Sequence, residues 1–171
     1  MKNFLNKGFT QALNFTKSRN LVSGFTLLEA IIVIAIIGII VAVAFPQLSK
    51  VKNVQILKSS SEDIISILNK ARSQTLASLN SQHYGVRFEP NSIIIFTSDS
   101  YNAGDASNEI INISSPASIS NISLSGGASE FYFNRLTGAP TRTGTITVSI
   151  ATDASLTKTI TISATGGVSM N

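Results

Sequence analysis

A long uncharged stretch lies close to the N-terminus of this chain. Residues 30–45 read AIIVIAIIGIIVAVAF without a polar side chain, and between Phe25 and Ser49 the only charged residue is Glu29. A helix over residues 25–45 would extend ~30 Å, which matches the hydrocarbon thickness of a bilayer. Because lipid forces a backbone to satisfy its own hydrogen bonds, we predict a membrane-spanning helix here.

The positive charge of the chain is concentrated ahead of this stretch. Residues 1–24 contain Lys2, Lys7, Lys17 and Arg19 and no acidic residue, and the rest of the chain contains nine Lys or Arg against nine Asp or Glu. The positive-inside rule then predicts a cytoplasmic N-terminus and an exported C-terminal part. Since that part is neutral, the basic isoelectric point does not argue for nucleic-acid binding.

Three interpretations fit such a segment. It could be a retained signal anchor, a secretory signal cut after Ala42-Val43-Ala44, or a leader cut between Gly24 and Phe25 on the cytoplasmic side, with the apolar helix kept. Glu29 separates them, because a carboxylate in a membrane helix is unfavourable, by roughly 2.5–3.5 kcal/mol at the centre and less near an end, and neither an anchor nor a signal needs one. A helix that later packs beside a copy of itself can use the charge.

The residues around Gly24 carry a family resemblance. Ser23 to Ala30, SGFTLLEA, resembles the leader junction of type IV pilins and type II secretion pseudopilins, with Gly before the cut, Phe after it and Glu29 four residues on. Pro46 falls where such helices often carry a kinking Pro. Because Pro46 lacks an N–H, we expect it to bend or locally melt the helix.

The resemblance implies a processing and assembly pathway. A membrane prepilin peptidase would cut after Gly24 and N-methylate Phe25, and Glu29 would pair with the free amine of a neighbouring subunit's Phe25. A slip by one residue would leave both charges unpaired, so the pair would set the register. The implied partners are the peptidase, other pilin or pseudopilin subunits, an inner-membrane assembly platform and, before assembly, the lipid bilayer. The implied location is the bacterial inner membrane, then the pilus or pseudopilus.

A second helical pattern follows Pro46. Apolar or small residues recur at spacings of three and four, with charged residues between them, at Val51, Val54, Leu57, Ile64, Ile65, Leu68, Ala71, Thr75 and Leu79. This predicts an amphipathic helix with one covered face. Joined to the apolar segment, it makes one helix from Phe25 to about Leu79. A coiled coil is the weaker alternative, because a β-rich region follows directly.

From Tyr84 the apolar period changes to two. Tyr84–Glu89 and Ser92–Thr97 flank Pro90-Asn91 and predict a hairpin. A loop is expected over residues 99–108, and further strands are expected at 109–113, 118–125, 129–134, 145–151 and 157–163, separated at Gly126-Gly127, Gly138-Ala139-Pro140 and Asp153-Ala154. These would form one or two antiparallel sheets, closed on one face by the helix.

The predicted fold class is therefore α+β and pilin-like, with a long N-terminal helix packed on an antiparallel β-sheet domain. The expected parts are a leader (1–24), a transmembrane or filament-core helix (25–45), the amphipathic half of the same helix (46–80) and an exported β-rich domain (81–171).

The C-terminal half resembles the GspH/FimT minor pseudopilins more narrowly. The likeness is carried by EFYFNRLTGAP at residues 130–140, GTITV at 144–148, TITI at 159–162, GGV at 166–168 and ARSQ at 71–74.

No residue pattern indicates catalysis, so we expect a protein that is not an enzyme and has no cofactor or metal site. The chain has no Cys and a single His, His83, which excludes a Cys nucleophile and makes a His-based triad improbable. The loop Asp99–Asp105 lacks the oxygen donors of a calcium-binding EF-hand.

Three functions remain in order of preference. The first is a structural minor subunit of a type II secretion pseudopilus or a type IV pilus. The second is a DNA-binding minor pilin for DNA uptake, which Arg135 and Arg142 alone support weakly because phosphate binding calls for a basic cluster. The third is an exported domain, for binding or catalysis, on a membrane anchor.

Overall fold

The computed structural model of the protein describes residues 24–77 and 81–171. The described residues divide into two units, one that ends at Ala42 and one that runs from Val43 to Asn171. The main helix, α1, runs from Leu27 to Leu76 and has 50 residues. It begins two residues after the predicted start and ends before Leu79, which lies outside the described residues, as does the predicted leader apart from Gly24.

The backbone of α1 stays helical at residue 46. Proline removes one hydrogen bond and its ring crowds the preceding turn, so it can bend a helix without ending it. Local melting at Pro46 is therefore not present, and a bend there stays a prediction.

The second half of α1 buries one face, as its sequence pattern predicts. The buried positions follow a helical period, at Leu57, Ser60, Ser61, Ile64, Leu68, Ala71 and Thr75. The predicted stripe begins too early, however, because Val51 and Val54 are 66% and 47% exposed. Helical periodicity alone therefore overestimated the covered length of the helix.

The predicted hairpin has its predicted bounds. Strands β1 (Tyr84–Glu89) and β2 (Ser92–Thr97) are antiparallel neighbours. Gly85 pairs with Phe96 across the hairpin, and a Cβ at Gly85 would overlap the Phe96 ring. The ring therefore occupies the space that a side chain at residue 85 would need.

Six more strands lie in the described part of the chain. They are β3 (Glu109–Asn112), β4 (Ala117–Leu124), β5 (Glu130–Tyr132), β6 (Gly144–Ile150), β7 (Asp153–Ile162) and β8 (Val168–Met170). One four-stranded sheet has the order β3–β2–β1–β5 and the other β4–β6–β7–β8, with every pair antiparallel. The α+β class, with a long helix packed on antiparallel sheets, is confirmed.

Two features of the second sheet differ from the prediction. Asp153-Ala154 is not a turn, since the turn falls at Ala151-Thr152 and β7 begins at Asp153. The Asp153 carboxylate accepts hydrogen bonds from Ser155 N and Oγ at 3.1 and 2.6 Å, so a residue type that favours turns is accommodated at the start of a strand. Strand β8 was not predicted, because three residues are too few to show a period.

A single hydrophobic core joins the helix to both sheets. It contains Leu68 of α1, Phe88 and Phe131 of the first sheet, and Ile146 and Ile160 of the second, each at most 2% exposed. Burying a side chain of this size contributes ~1.5–3 kcal/mol. The core therefore holds the second half of α1 rigidly to the β strands.

Candidate functional site

The peptide bond between Gly24 and Phe25 lies in exposed, non-helical backbone immediately before α1. Among the described residues, a Cβ at Gly24 would meet no atom within 4 Å. Packing among the described residues therefore does not require glycine at this position. Glycine does leave the backbone unhindered for a molecule that binds this segment in an extended form.

Thr26 caps the helix that begins at Leu27. Its Oγ1 accepts a hydrogen bond from the N–H of Glu29 at 3.2 Å, and its carbonyl accepts one from Ala30 N at 3.1 Å. Thr followed three residues later by Glu is the spacing of a capping box, which satisfies N–H groups that a helix start leaves free. Sequence reasoning missed this role of Thr26, although the spacing was readable, and the cap explains why the helix starts after residue 26.

Glu29 lies in the first turn of α1, where the positive end of the helix dipole favours a carboxylate. Its neighbours on the helix surface are apolar and open, with Phe25 72% and Leu28 68% exposed. Within residues 24–77 and 81–171, Glu29 takes part in no ion pair. The first turn therefore presents a single carboxylate on an otherwise apolar surface.

The helix beyond Glu29 is long and apolar enough to cross a membrane. Its large side chains are exposed on every side, including Ile31, Ile34, Ile37, Ile40, Val43 and Phe45. A helix that is apolar all round needs lipid or other helices around it. By length and composition, this half of α1 suits either environment.

In the unit Val43–Asn171, which we call the globular unit, Arg72 brings together three segments that are far apart in sequence. Its Nε donates to the carbonyl of Gly138 and its Nη2 to the carbonyl of Thr165, each at 3.0 Å. A Cβ at Gly166 would overlap the Gly138 carbonyl and crowd Arg72. The segments that carry the narrower family resemblance, at 71–74, 130–140 and 166–168, thus meet around one guanidinium group.

Of the other described arginines, Arg87 and Arg142 donate hydrogen bonds within the chain. Arg87 donates to Glu130 Oε2 at 2.9 Å and lies 4.7 Å from the ring centre of Tyr101. The hydrogen bond to Glu130 raises the pKa of Arg87 above its usual value. Arg142 donates to the Glu130 carbonyl at 3.0 Å, and Arg135 is half-buried. Arg135 and Arg142 therefore do not present the open basic surface that DNA binding would use.

The polar groups of His83 and of the loop 99–108 contact other groups of the chain. His83 Nδ1 lies 3.4 Å from Asp99 Oδ1, an ion pair only when the imidazole is protonated. Asp105 Oδ1 accepts from Ser107 N and Oγ, both at 2.8 Å, which lowers the pKa of Asp105. The loop oxygens thus serve the loop itself, and among the described residues no three His, Asp or Glu side chains are grouped to hold a metal ion.

Comparison with known proteins identifies the N-terminal region and the fold. Residues 19–45 match the prokaryotic N-terminal methylation motif. No curated protein sequence matches the chain. The structure is similar to two crystal forms of the type IV minor pilin FimU from Pseudomonas aeruginosa strain PAO1. The first is 13% identical, with a TM-score of 0.50, and covers 67% of this chain and 87% of that one. The second is also 13% identical, with a TM-score of 0.48, and covers 67% and 92%.

These comparisons confirm the resemblance to type IV pilin-like proteins: the chain carries the methylation motif at its N-terminus and has a pilin-like fold.

Proposed function

We propose that this protein is a minor structural subunit of a type IV pilus or a type II secretion pseudopilus, assembled through α1. The observation that carries the proposal is the junction itself. An open Gly24–Phe25 bond directly precedes a capped, membrane-length helix with Glu29 in its first turn. The methylation motif spans this junction, and the globular unit has the fold of a minor pilin.

Processing would occur in the membrane. A prepilin peptidase cuts after Gly24 and methylates the new N-terminus at Phe25, while the C-terminal unit is exported and the bilayer holds the helix until assembly. The exposed backbone and the absence of any packing requirement at Gly24 support this step, since the peptidase can bind the segment without unfolding the described part of the chain.

Glu29 would direct the packing of subunits. Cleavage creates an α-amino group at Phe25, and when helices pack in a filament core this cation and the Glu29 carboxylate of a neighbour are both removed from water. Leaving one buried charge without its partner costs ~3–5 kcal/mol. The absence of an intrachain ion pair at Glu29 among the described residues supports a partner in another subunit.

The narrower assignment is a GspH/FimT-like minor component that works with the assembly platform and the other subunits. Three of the five segments that resemble this group meet at Arg72, which supports a shared structural role for those three. A DNA-uptake function has less support, because Arg142 is bonded to the chain and Arg135 is half-buried.

Glu29→Gln tests the assembly step in cells that express the native machine. We expect cleavage and Phe25 methylation to continue, as shown by mass spectrometry of the N-terminal peptide, while incorporation into sheared filaments falls by about 100-fold, the equivalent of ~3 kcal/mol. Glu62→Gln, at an exposed carboxylate of the same helix, is the matched control and should assemble normally. Normal incorporation of Glu29→Gln would refute the pairing, and a mature chain that still begins at Met1, or begins at Phe45, would refute the processing.

A further inference from the structure

The globular unit has an open polar groove close to the end of the apolar segment. It has a volume of about 640 Å³. Its polar lining, apart from Ser49, comes from α1, from the connection before β4 and from the start of β7 with the turn before it: Lys50, Lys52, Asn53, Ser115, Thr152 and Asp153. Asn53 Nδ2 donates to Thr152 Oγ1 at 3.3 Å, which ties the helix to the β6–β7 turn beneath the groove. We call these six residues the lysine groove.

Two lysines of the lysine groove lie a short distance along α1 from Phe45, the last residue of the apolar stretch. Lys50 follows Phe45 by five residues and Lys52 by seven, which places them ~7 and ~10 Å further along the helix. The headgroup layer on each side of a bilayer is about 5–8 Å thick. With Phe45 at the edge of the hydrocarbon, both ammonium groups come to about the level of the lipid phosphates, within the reach of a flexible lysine side chain.

Several lysines in and beside the lysine groove have no close carboxylate partner. Among the described residues, neither Lys50 nor Lys52 takes part in an ion pair, and the same holds for Lys158 in the adjoining apolar groove. Lys58, in that same adjoining groove, reaches Glu62 only at 3.9 Å, in an exposed pair that contributes little. Elsewhere in the unit, Lys70 and Arg87 are paired with carboxylates, whereas Arg72 and Arg142 keep their charge and donate to carbonyl oxygens.

Asp153 is the opposing charge in the lysine groove. Hydrogen bonds from Ser155 lower its pKa, with a smaller contribution from the charge of Lys50, so the carboxylate is ionised at neutral pH. Two lysines therefore face one carboxylate, and the groove keeps a net positive charge. Hydroxyl and amide groups of Asn53, Ser115 and Thr152 supply further hydrogen-bond donors beside it.

We propose that the lysine groove binds the phosphate headgroups of anionic lipids on the exported side of the membrane and so docks the globular unit on the bilayer before assembly. The inference rests on the proposed function, because it takes residues 25–45 as the membrane span. Each lysine at an anionic surface favours the docked state about fivefold, the equivalent of ~1 kcal/mol. Release of these contacts would then accompany extraction of the subunit into a filament.

The test uses the full chain in lipid nanodiscs. The chain has no Cys, so Ala151→Cys, at an exposed residue in the turn beside the groove, creates a single thiol for a spin label. A nickel-chelating lipid in the same disc relaxes the label when the globular unit is docked. Replacing pure phosphatidylcholine with an equal mixture of phosphatidylcholine and phosphatidylglycerol should raise the docked fraction.

Three variants give the effect a direction. Lys50→Gln with Lys52→Gln should lower the ratio of docked to undocked protein by about 25-fold in the anionic discs. Asp153→Asn should raise that ratio, because it removes the carboxylate that repels phosphate. Lys70→Gln is the control, since Lys70 lies on the same helix and is paired with Glu109 away from the groove.

The outcomes separate the inference from the proposed function. A chain that inserts into the discs but shows the same docking in both lipids overturns the lysine groove as a lipid site and leaves the membrane helix intact. A chain that fails to insert overturns both. A lysine-dependent change in the label on adding duplex DNA to phosphatidylcholine discs, without a response to phosphatidylglycerol, assigns the groove to nucleic-acid phosphate and overturns the lipid assignment.

Discussion

Replacing Arg72 tests how the globular unit is held together. In Arg72→Ala, the carbonyls of Gly138 and Thr165 lose their donors. A hydrogen bond from a charged donor contributes ~1.5–3 kcal/mol, and one of these two bonds is solvent-exposed, which reduces its share. Because Gly138 is buried, its carbonyl has little access to replacement water. We expect the free energy of unfolding to fall by about 2–3 kcal/mol.

The assay is urea unfolding of the full chain in detergent micelles, followed by the fluorescence of its three tyrosines, since the chain has no Trp. With a slope of ~1–3 kcal/mol per molar urea, the midpoint should fall by about 1–2 M at an unchanged slope. Arg72→Lys keeps the charge but cannot reach both carbonyls with one nitrogen, so it should recover only about half of the loss.

Lys70→Ala provides the matched control. Lys70 lies on the same helix and pairs with Glu109, and both side chains are nearly half exposed, at 46% and 47%. Such a pair contributes ~0.2–1 kcal/mol. If Arg72→Ala shifts the midpoint no more than Lys70→Ala does, the two hydrogen bonds of Arg72 do not stabilise the fold and the reasoning fails.

Three further predictions concern the hairpin, the cap and the second sheet. Gly85→Ala should lower the free energy of unfolding by about 3 kcal/mol in the same urea assay, because the new methyl group overlaps the Phe96 ring. Thr26→Val should cost ~1 kcal/mol of helix-end stability and speed amide exchange in the first turn about fivefold, whereas Thr26→Ser should not. Ser155→Ala should raise the pKa of Asp153 toward its usual value in a carboxyl NMR titration. The lowered pKa of Asp153 favours the fold above about pH 4, and this contribution is lost as the pH falls through the folded pKa.

Local patterns predicted the elements well. The hairpin at Tyr84–Glu89 and Ser92–Thr97 has its predicted ends, because alternation and the Pro90-Asn91 turn are properties of adjacent residues. The same holds for the membrane-length helix, whose character depends on composition alone. Where two local signals competed, as at Asp153, the ladder with β6 prevailed over the preference of the residue for turns.

The functional residues also differ in whether the sequence alone could identify them. Gly24, Phe25 and Glu29 lie side by side in the chain, so their spacing alone indicated a processing and assembly function, and the Thr26 cap was present in the same pattern. Their roles in cleavage, methylation and pairing stay predictions. The lysine groove and the contacts of Arg72 have no such local pattern. Each joins residues of α1 to segments 60 or more positions further along the chain.

The amino-acid sequence alone determined an apolar, membrane-length helix with one acidic residue near its start, followed by a β-rich region. Hydrophobicity and its periodicity along the chain are short-range properties. Tertiary structure decided which strands are neighbours, where the covered face of α1 begins, and which polar groups meet. Strand β5 joins β1 from more than 40 residues away, and the three-residue β8 exists only because β7 offers it a free edge. Such contacts depend on the closure of long loops around a shared core, a free energy that no single segment contains.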